Sequence, residues 1–149
     1  MFNNITNINF LNNKCFSELE ILDLKNNKAI ADFSPLSHLK QLKSINLFNC
    51  SLTNIIFLLK ENANSLERIN KSKNHRIDDF SILSFFKNIK YLNISNNHIK
   101  NFLWLNNFQY SGIISELNLG GNKVFFPDFL GGFKNLKILN LYNCKIKSI

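Results

Sequence analysis

The chain has 149 residues, of which 45% are hydrophobic, and its 18 Lys and Arg residues against 10 Asp and Glu residues give a formal net charge of +8. This length and composition are typical of one folded domain. No run of about eighteen apolar residues occurs, which excludes a membrane-spanning helix. The first residues, Met1 to Asn7, lack the basic and apolar regions of a secretory signal, so we expect a cytoplasmic or nuclear protein.

A hydrophobic pattern, Leu-x-x-Leu-x-Leu-x-x-Asn, recurs along the chain, with Ile for Leu or Cys for Asn in some copies. Its copies are about 22 to 25 residues apart, a spacing typical of stacked repeats. One such coil cannot bury its apolar side alone, so we predict a single stacked domain over residues 1–149, cut mid-repeat at both ends, whose uncapped ends allow self-association. The copies begin at Leu19, Leu42, Leu66, Ile89, Ile114 and Leu136.

Within a coil, the pattern predicts one short strand followed by a tight turn. In the second copy, Leu42, Ile45 and Leu47 point inward, while Ser44 and the other alternate residues point outward. Beyond the turn, apolar residues recur at a spacing of three, which suits 3₁₀ turns on the outer side. We expect the Phe residues of these segments to fill the core; examples are Phe33, Phe80 and Phe102.

These copies resemble the leucine-rich repeat superfamily across the whole chain. Their short tails are similar to those of the phosphatase-1 regulatory subunit, and LKSINLFNCSLTN (residues 42–54) is similar to a repeat of the acidic leucine-rich nuclear phosphoproteins. The resemblance implies an α/β fold: a right-handed solenoid with a parallel, concave sheet of six to seven short strands and a convex side of short helical or 3₁₀ segments. It also implies a non-enzymatic role in protein–protein interaction, with phosphatase regulation as an alternative by analogy.

Outward positions of the strands supply the candidate partner-binding residues. Aromatic and Arg side chains set among amides are typical of recognition surfaces. An AT-rich genome would also favour Asn at exposed sites, and the sequence leaves both explanations open. The candidate partner-binding residues are Phe48, Arg68, Tyr91, Asn93, Asn118, Asn140 and Tyr142.

A set of basic residues forms a second candidate site. Lys71 occupies an inward leucine position, and burying an unpaired ammonium is costly, so we expect a local bulge or a Lys71 side chain that extends to the surface. The net charge makes RNA a second candidate partner, with the protein as a basic component of an RNA–protein particle. The candidate basic edge consists of Lys40, Lys71, Lys73, Arg76, Lys87 and Lys134.

Catalytic and metal-binding motifs are absent from the sequence, so we expect no enzyme activity, cofactor, metal or small-molecule substrate. His75 and His98 follow the Asn of their copies in a turn, and Asp78-Asp79 suits an exposed or helix-capping role. Cys50 replaces the repeat Asn, as Cys144 does in the last copy, and we predict that both thiols are structural. Alternating Glu and Lys residues are expected to pair between adjacent strands; they are Glu20, Lys43, Glu67 and Lys90.

Overall fold

The computed structural model describes residues 4–58, 62–77, 79–107, 111–124 and 128–147. Its strands form one sheet in which each strand pairs in parallel with its neighbour in the sequence. The predicted repeat solenoid with a parallel sheet is thereby confirmed, with six strands in the described part of the chain. They are β1 (Ile21–Asp23), β2 (Ser44–Asn46), β3 (Arg68–Asn70), β4 (Tyr91–Asn93), β5 (Glu116–Asn118) and β6 (Ile138–Asn140).

Short 3₁₀ helices form the side opposite the sheet, which we term the convex side, and every helix among the described residues is of this type. The spacing of apolar residues by three produces them, because a 3₁₀ helix brings every third side chain to the same face. None of these helices has the length and apolar character needed to cross a membrane. Their bounds are Asn9–Asn12, Lys14–Phe16, Ser34–His38, Ile56–Leu58, Asn62–Asn64, Ser81–Phe85, Leu103–Asn107, Ser111–Ile113 and Asp128–Gly132.

The strand register is constant through the sheet. Ile21 pairs with Ser44, Ser44 with Arg68, and Arg68 with Tyr91, and the same column ends at Ile138. Since side chains alternate along a strand, the middle residue of each strand points to the inner side of the sheet, where Leu139 of the last strand is still 41% exposed, and its two neighbours point outward. The outward columns of the six strands form the surface that we term the strand face.

Phenylalanine rings pack between the strands and the convex helices, as predicted. Phe33, Phe80 and Phe102 are all buried. Phe33 stacks on Phe57 of the next coil, and their ring centroids are 5.5 Å apart. Adjacent coils are thus joined by aromatic contacts as well as by strand hydrogen bonds.

Buried Asn side chains join the turns of neighbouring coils. Asn74 accepts the backbone N–H groups of Cys50 and Leu52 at 3.0 Å, and its amide donates to the carbonyl oxygens of Leu47 and Lys71 at 2.8 and 3.0 Å. These turn groups are buried and would otherwise lack partners, so the Asn stabilises two coils at once.

Cysteine takes over part of this role in two coils. The Cys50 thiol donates to the Leu24 carbonyl oxygen at 3.0 Å, and the Cys144 thiol donates to the Leu119 carbonyl oxygen at 3.4 Å. Both side chains are buried, all three cysteines are free thiols, and Cys15 is exposed. The structural role predicted for Cys50 and Cys144 is confirmed.

Aspartate caps a convex helix at the predicted place. The Asp79 carboxylate accepts the backbone N–H of Ser81, the first residue of a 3₁₀ helix, at 2.7 Å and the Ser81 hydroxyl at 2.9 Å. Asp32 makes the same two bonds to Ser34. Asp79, which precedes the N-cap residue Phe80, thus supplies the capping bonds expected of the acidic doublet, while Asp78 lies outside the described residues.

The prediction for Lys71 is wrong. β3 continues in regular register, since the Lys71 N–H donates to the Asn93 carbonyl oxygen at 2.8 Å, and there is no bulge. The side chain is fully buried, and its Nζ lies 5.9 Å from the centroid of the Phe57 ring without a hydrogen-bond partner. Burial lowers the pKa of Lys71 well below its ordinary value. The side chain stays inside because its aliphatic stem fills the leucine position and a neutral amine is far less costly to bury than an ammonium.

Candidate functional site

The centre of the strand face carries an aromatic ring covered by a cation. The Arg68 Cζ atom lies 4.4 Å from the centroid of the Tyr91 ring on the adjacent strand. Arg68 Nη1 also lies 4.0 Å from Glu116 Oε1. A cation over an aromatic ring at an exposed site contributes about 0.5–1 kcal/mol. The contact holds Arg68, Tyr91 and Glu116 in one defined arrangement across three strands.

A second ring beside this centre is arranged in a similar way. Phe48 follows β2 and is half-buried, and the Nζ atom of Lys73 lies 5.2 Å from its ring centroid. Lys73 follows β3, so the contact again joins adjacent coils. The structure thus brings together Phe48 of the candidate interaction set and Lys73 of the candidate basic set.

Tyr142, the third predicted aromatic anchor, lies over a glycine. Gly120 occupies the matching position of the preceding coil, and a Cβ on it would come within 2.2 Å of Tyr142 Cδ1. The Tyr142 hydroxyl donates to Asn96 Oδ1 at 2.8 Å, and the side chain remains exposed. Sequence reasoning missed the role of Gly120, although a glycine beside a Tyr in one outward column was a signal for such a contact.

The Asn residues that end β2 to β6 form one column of the strand face, which we term the amide column. Their side-chain oxygens have a structural role. The Oδ1 atoms of Asn93, Asn118 and Asn140 each accept the backbone N–H two residues further on, at 3.0 to 3.1 Å. These bonds hold the chain as it leaves each strand. Participation of the three amides in partner binding stays a prediction, and their oxygens already have backbone partners.

Apolar side chains are exposed on the two outermost strands of the sheet. Ile21 on β1 is 71% exposed, and Ile138 on β6 is 57% exposed. Both belong to the same outward column as Arg68 and Tyr91. The strand face therefore has exposed apolar groups on either side of its polar and aromatic centre.

The candidate basic edge is divided by the structure. Lys40, Lys87 and Lys134 are exposed and precede their strands, whereas Lys73 and Arg76 are exposed and follow β3. All strands run in the same direction, so these two groups lie at opposite edges of the sheet. Lys71 belongs to neither group, because it is buried.

At the edge where the strands begin, which we term the strand-start edge, two lysines pair with glutamates of the preceding coil. Lys43 Nζ lies 2.5 Å from Glu20 Oε1, and Lys90 Nζ lies 2.9 Å from Glu67 Oε2. The predicted pairing of adjacent coils by Glu and Lys is confirmed. Exposed pairs of this kind contribute at most about 1 kcal/mol each, but they do reduce the net charge of that edge.

The strand-end edge, where the turns lie, carries two imidazole rings in tilted contact. The ring centroids of His75 and His98 are 4.6 Å apart, and both residues are exposed at the turn positions predicted for them. Desolvation lowers the pKa of His75, and the charges of His98, Lys73 and Lys28 lower it further. Within the described residues, no group of three or more His, Cys, Asp or Glu side chains is arranged to hold a metal ion.

Comparison with known proteins supports the fold through solved structures. No family model matches the sequence, and no curated protein matches it. The internalin inlF of Listeria monocytogenes superposes with a TM-score of 0.76 at 21% identity, over 97% of this chain and 47% of the internalin. Internalin C2 of the same organism superposes with a TM-score of 0.85 at 24% identity, over 99% of this chain and 62% of that protein.

The chain thus spans less than two thirds of the length of either solved structure. Internalins are leucine-rich repeat proteins, and at this level of identity the similarity shows the fold alone. The fold expected from the sequence is confirmed: this chain is a leucine-rich repeat solenoid.

Proposed function

We propose that this leucine-rich repeat solenoid is a non-enzymatic interaction module that binds a protein partner through its strand face. The observation that carries the proposal is the Arg68 guanidinium held over the Tyr91 ring at 4.4 Å in the middle of the sheet. Arg and Tyr are the residue types that contribute most to binding energy at protein interfaces, especially near the centre of the contact. Phe48 and Tyr142 extend the same surface.

The rigidity of the surface supports a binding role. Arg68 and Tyr91 lie on adjacent paired strands, and the turn beyond each strand is held by a hydrogen bond to its amide column. A surface that is ordered before binding loses little conformational entropy when a partner docks. The proposal therefore requires no rearrangement of the backbone.

The proposal assigns no cofactor and no small-molecule substrate. On the described strand face, Glu116 pairs in register with Tyr91, and its carboxylate lies beside the Arg68 guanidinium rather than a nucleophile. This arrangement suits recognition of charged and apolar groups on another protein.

Affinity capture with a strand-face variant tests the proposal. The immobilised wild-type chain is compared with R68A/Y91A in an extract of the cells that produce it. The matched control is F10A/F85A, which removes two side chains that are 55% and 62% exposed on the convex helices. A protein retained by the wild type and the control, but lost by R68A/Y91A, is the expected result.

The affinity of the purified partner then gives the size of the effect. Removing two central anchors is expected to weaken binding by about 30-fold or more. Equal binding by R68A/Y91A, or loss of binding by the convex control, would place the interaction elsewhere. Two outcomes favour the alternatives: a retained RNA whose binding weakens steeply as salt rises indicates the particle component, and a retained phosphatase indicates the regulatory subunit.

A further inference from the structure

Positive charge is concentrated at the strand-end edge around His75. The charges of Lys28, Lys73 and His98 all act on His75, and Arg76 is its neighbour in the chain. Within the described residues, neither Lys28 nor Arg76 has a salt-bridge partner. This edge therefore presents a positive field that would attract an anionic group.

A groove opens beside this charge, between the first and second coils. It has a volume of about 670 Å³, and Lys28 and Arg76 are among its lining residues. Its lining also includes the stacked rings of Phe33 and Phe57, and Ile56, which is 64% exposed. We term this the turn-edge groove. Apolar and cationic side chains thus line the same groove.

One carboxylate also lines the turn-edge groove, and the fold already uses it. Asp32 accepts the backbone N–H of Ser34 at 2.8 Å and the Ser34 hydroxyl at 2.9 Å. These bonds lower the pKa of Asp32, so it stays ionised. The groove is lined by two cations, Lys28 and Arg76, and one carboxylate that already accepts two hydrogen bonds, so its charge is positive in excess.

The same combination recurs between the fourth and fifth coils. A smaller groove of about 240 Å³ is lined by Lys100, Lys123 and the stacked pair of Phe102 and Phe129, whose centroids are 5.5 Å apart. Leu103 is exposed there, as Ile56 is in the larger groove. Asp128 is the one carboxylate in its lining, as Asp32 is in the larger groove, so both grooves combine apolar and cationic side chains with a single carboxylate.

We propose that the turn-edge groove binds an acidic segment of a protein partner. An apolar side chain of the segment packs on Ile56 and the edge of the Phe57 ring, and its carboxylates face Lys28 and Arg76. The surface is distinct from the strand face, so one partner can contact both, or two partners can bind at once.

The chemistry of the groove favours an acidic polypeptide over RNA. Single-stranded RNA is bound largely by stacking its bases on open aromatic faces. Phe33 is buried, and its ring covers one face of the Phe57 ring, which leaves little open aromatic face for a base. The exposed aliphatic Ile56 suits an apolar side chain instead. Ser51 and Asn54 also line the groove and supply polar groups for a peptide backbone.

Fluorescence polarisation with defined probes tests this proposal. The probe is a short fluorescein-labelled polyglutamate peptide with one central Phe. Two comparison peptides replace the Phe by Ser or every Glu by Lys. A third comparison probe is labelled oligouridylate RNA. The variant is K28E/R76E. The matched control, K87E/K134E, makes the same charge change at exposed positions of the opposite edge.

The acidic peptide is expected to bind, and K28E/R76E to weaken it at least about tenfold because attraction becomes repulsion. K87E/K134E should change the affinity by less than about twofold, since those sites lie beyond the range of strong charge interaction. The Ser probe and the variant I56D should each bind more weakly. Circular dichroism confirms that the variants remain folded.

Three results would overturn the proposal: no binding of the acidic peptide, an equal loss in K87E/K134E, or tighter binding of the RNA than of the peptide. The strand-face variant R68A/Y91A is measured with the same peptide and should retain its affinity. Failure of the turn-edge groove therefore leaves the strand-face proposal standing, and the reverse is also true.

Discussion

The Tyr142 ring packs directly on the backbone of Gly120, and a Cβ at Gly120 would lie 2.2 Å from Tyr142 Cδ1. The ring extends across the sheet far enough for its hydroxyl to reach Asn96 Oδ1 at 2.8 Å. The absence of a side chain at Gly120 thus lets the Tyr142 ring of the next coil lie on the strand face.

Substitution of Gly120 by Ala is expected to displace the Tyr142 ring at a small cost in stability. The ring is 52% exposed and can turn into solvent, so the free energy of unfolding should fall by only about 1 kcal/mol, the loss of one hydrogen bond. The side-chain amide of Asn96 should shift in an NMR spectrum. Y142F is the control, because it removes only the hydroxyl; an Asn96 signal identical to wild type in G120A would contradict the contact.

Substitution of Lys71 by Met is expected to stabilise the protein. The buried amine has no hydrogen-bond partner, and an apolar side chain of similar length removes that penalty, a gain of about 1–3 kcal/mol. Urea denaturation measures the difference. K73M changes an exposed lysine and should alter stability by less than about 0.5 kcal/mol. A destabilised K71M would show that the amine has a favourable role in the core.

The same lysine makes stability depend on pH. The unfolded chain carries a proton on Lys71 up to about pH 10.4, while the native chain gives it up at a much lower pH because burial lowers the pKa. At a pH between the native and the unfolded pKa of Lys71, unfolding takes up one proton. The free energy of unfolding should therefore rise as pH rises through this window. K71M should lose this component. Parallel pH profiles for the two proteins would contradict the assignment.

Replacement of Asn74 by Ala should cost about 2–4 kcal/mol, because it leaves buried donors and acceptors of two coils without partners. N74C should cost less, since a thiol still donates to a carbonyl oxygen as Cys50 does at 3.0 Å. N101A is the control, because Asn101 is exposed and bonds only within its own turn. Denaturation of the three variants should give N101A, N74C and N74A in order of increasing loss.

Thiol labelling should distinguish the three cysteines. Cys50 is buried, and its pKa is raised to about 11 by desolvation, so little reactive thiolate is present at neutral pH. Burial also raises the pKa of Cys144. Mass spectrometry after brief alkylation of the native protein should find the label on Cys15, which is exposed, and on all three cysteines after unfolding. Rapid native labelling of Cys50 would contradict its place in the turn.

The strand columns could be read from the sequence because the repeat fixes which residue of each coil faces outward. Arg68 and Tyr91 occupy equivalent positions of consecutive copies, and parallel stacking makes them neighbours without further information. The capping role of Asp79 also follows from its local position. Each of these predictions depends on the repeat period or on contacts within a few residues.

Lys71 could not be placed in the same way. The cost of burying an amine favours an exposed side chain, whereas the leucine position of the repeat favours a buried one. Only the packing around Phe57 and the continuous register of β3 show that the leucine position prevails. The division of the other basic residues between two edges, by contrast, follows from the common direction of the parallel strands.

The amino-acid sequence alone determined the stacking of coils, because a periodic apolar pattern has one way to hide its side chains from water, by repeating the same turn in register. Tertiary structure decided which side chains are buried and which of them meet. It buried Lys71, placed Tyr142 on Gly120 and brought Lys28 and Arg76 to one groove. These relations connect side chains of different coils, and their distances depend on rotamers and packing that no repeat pattern records.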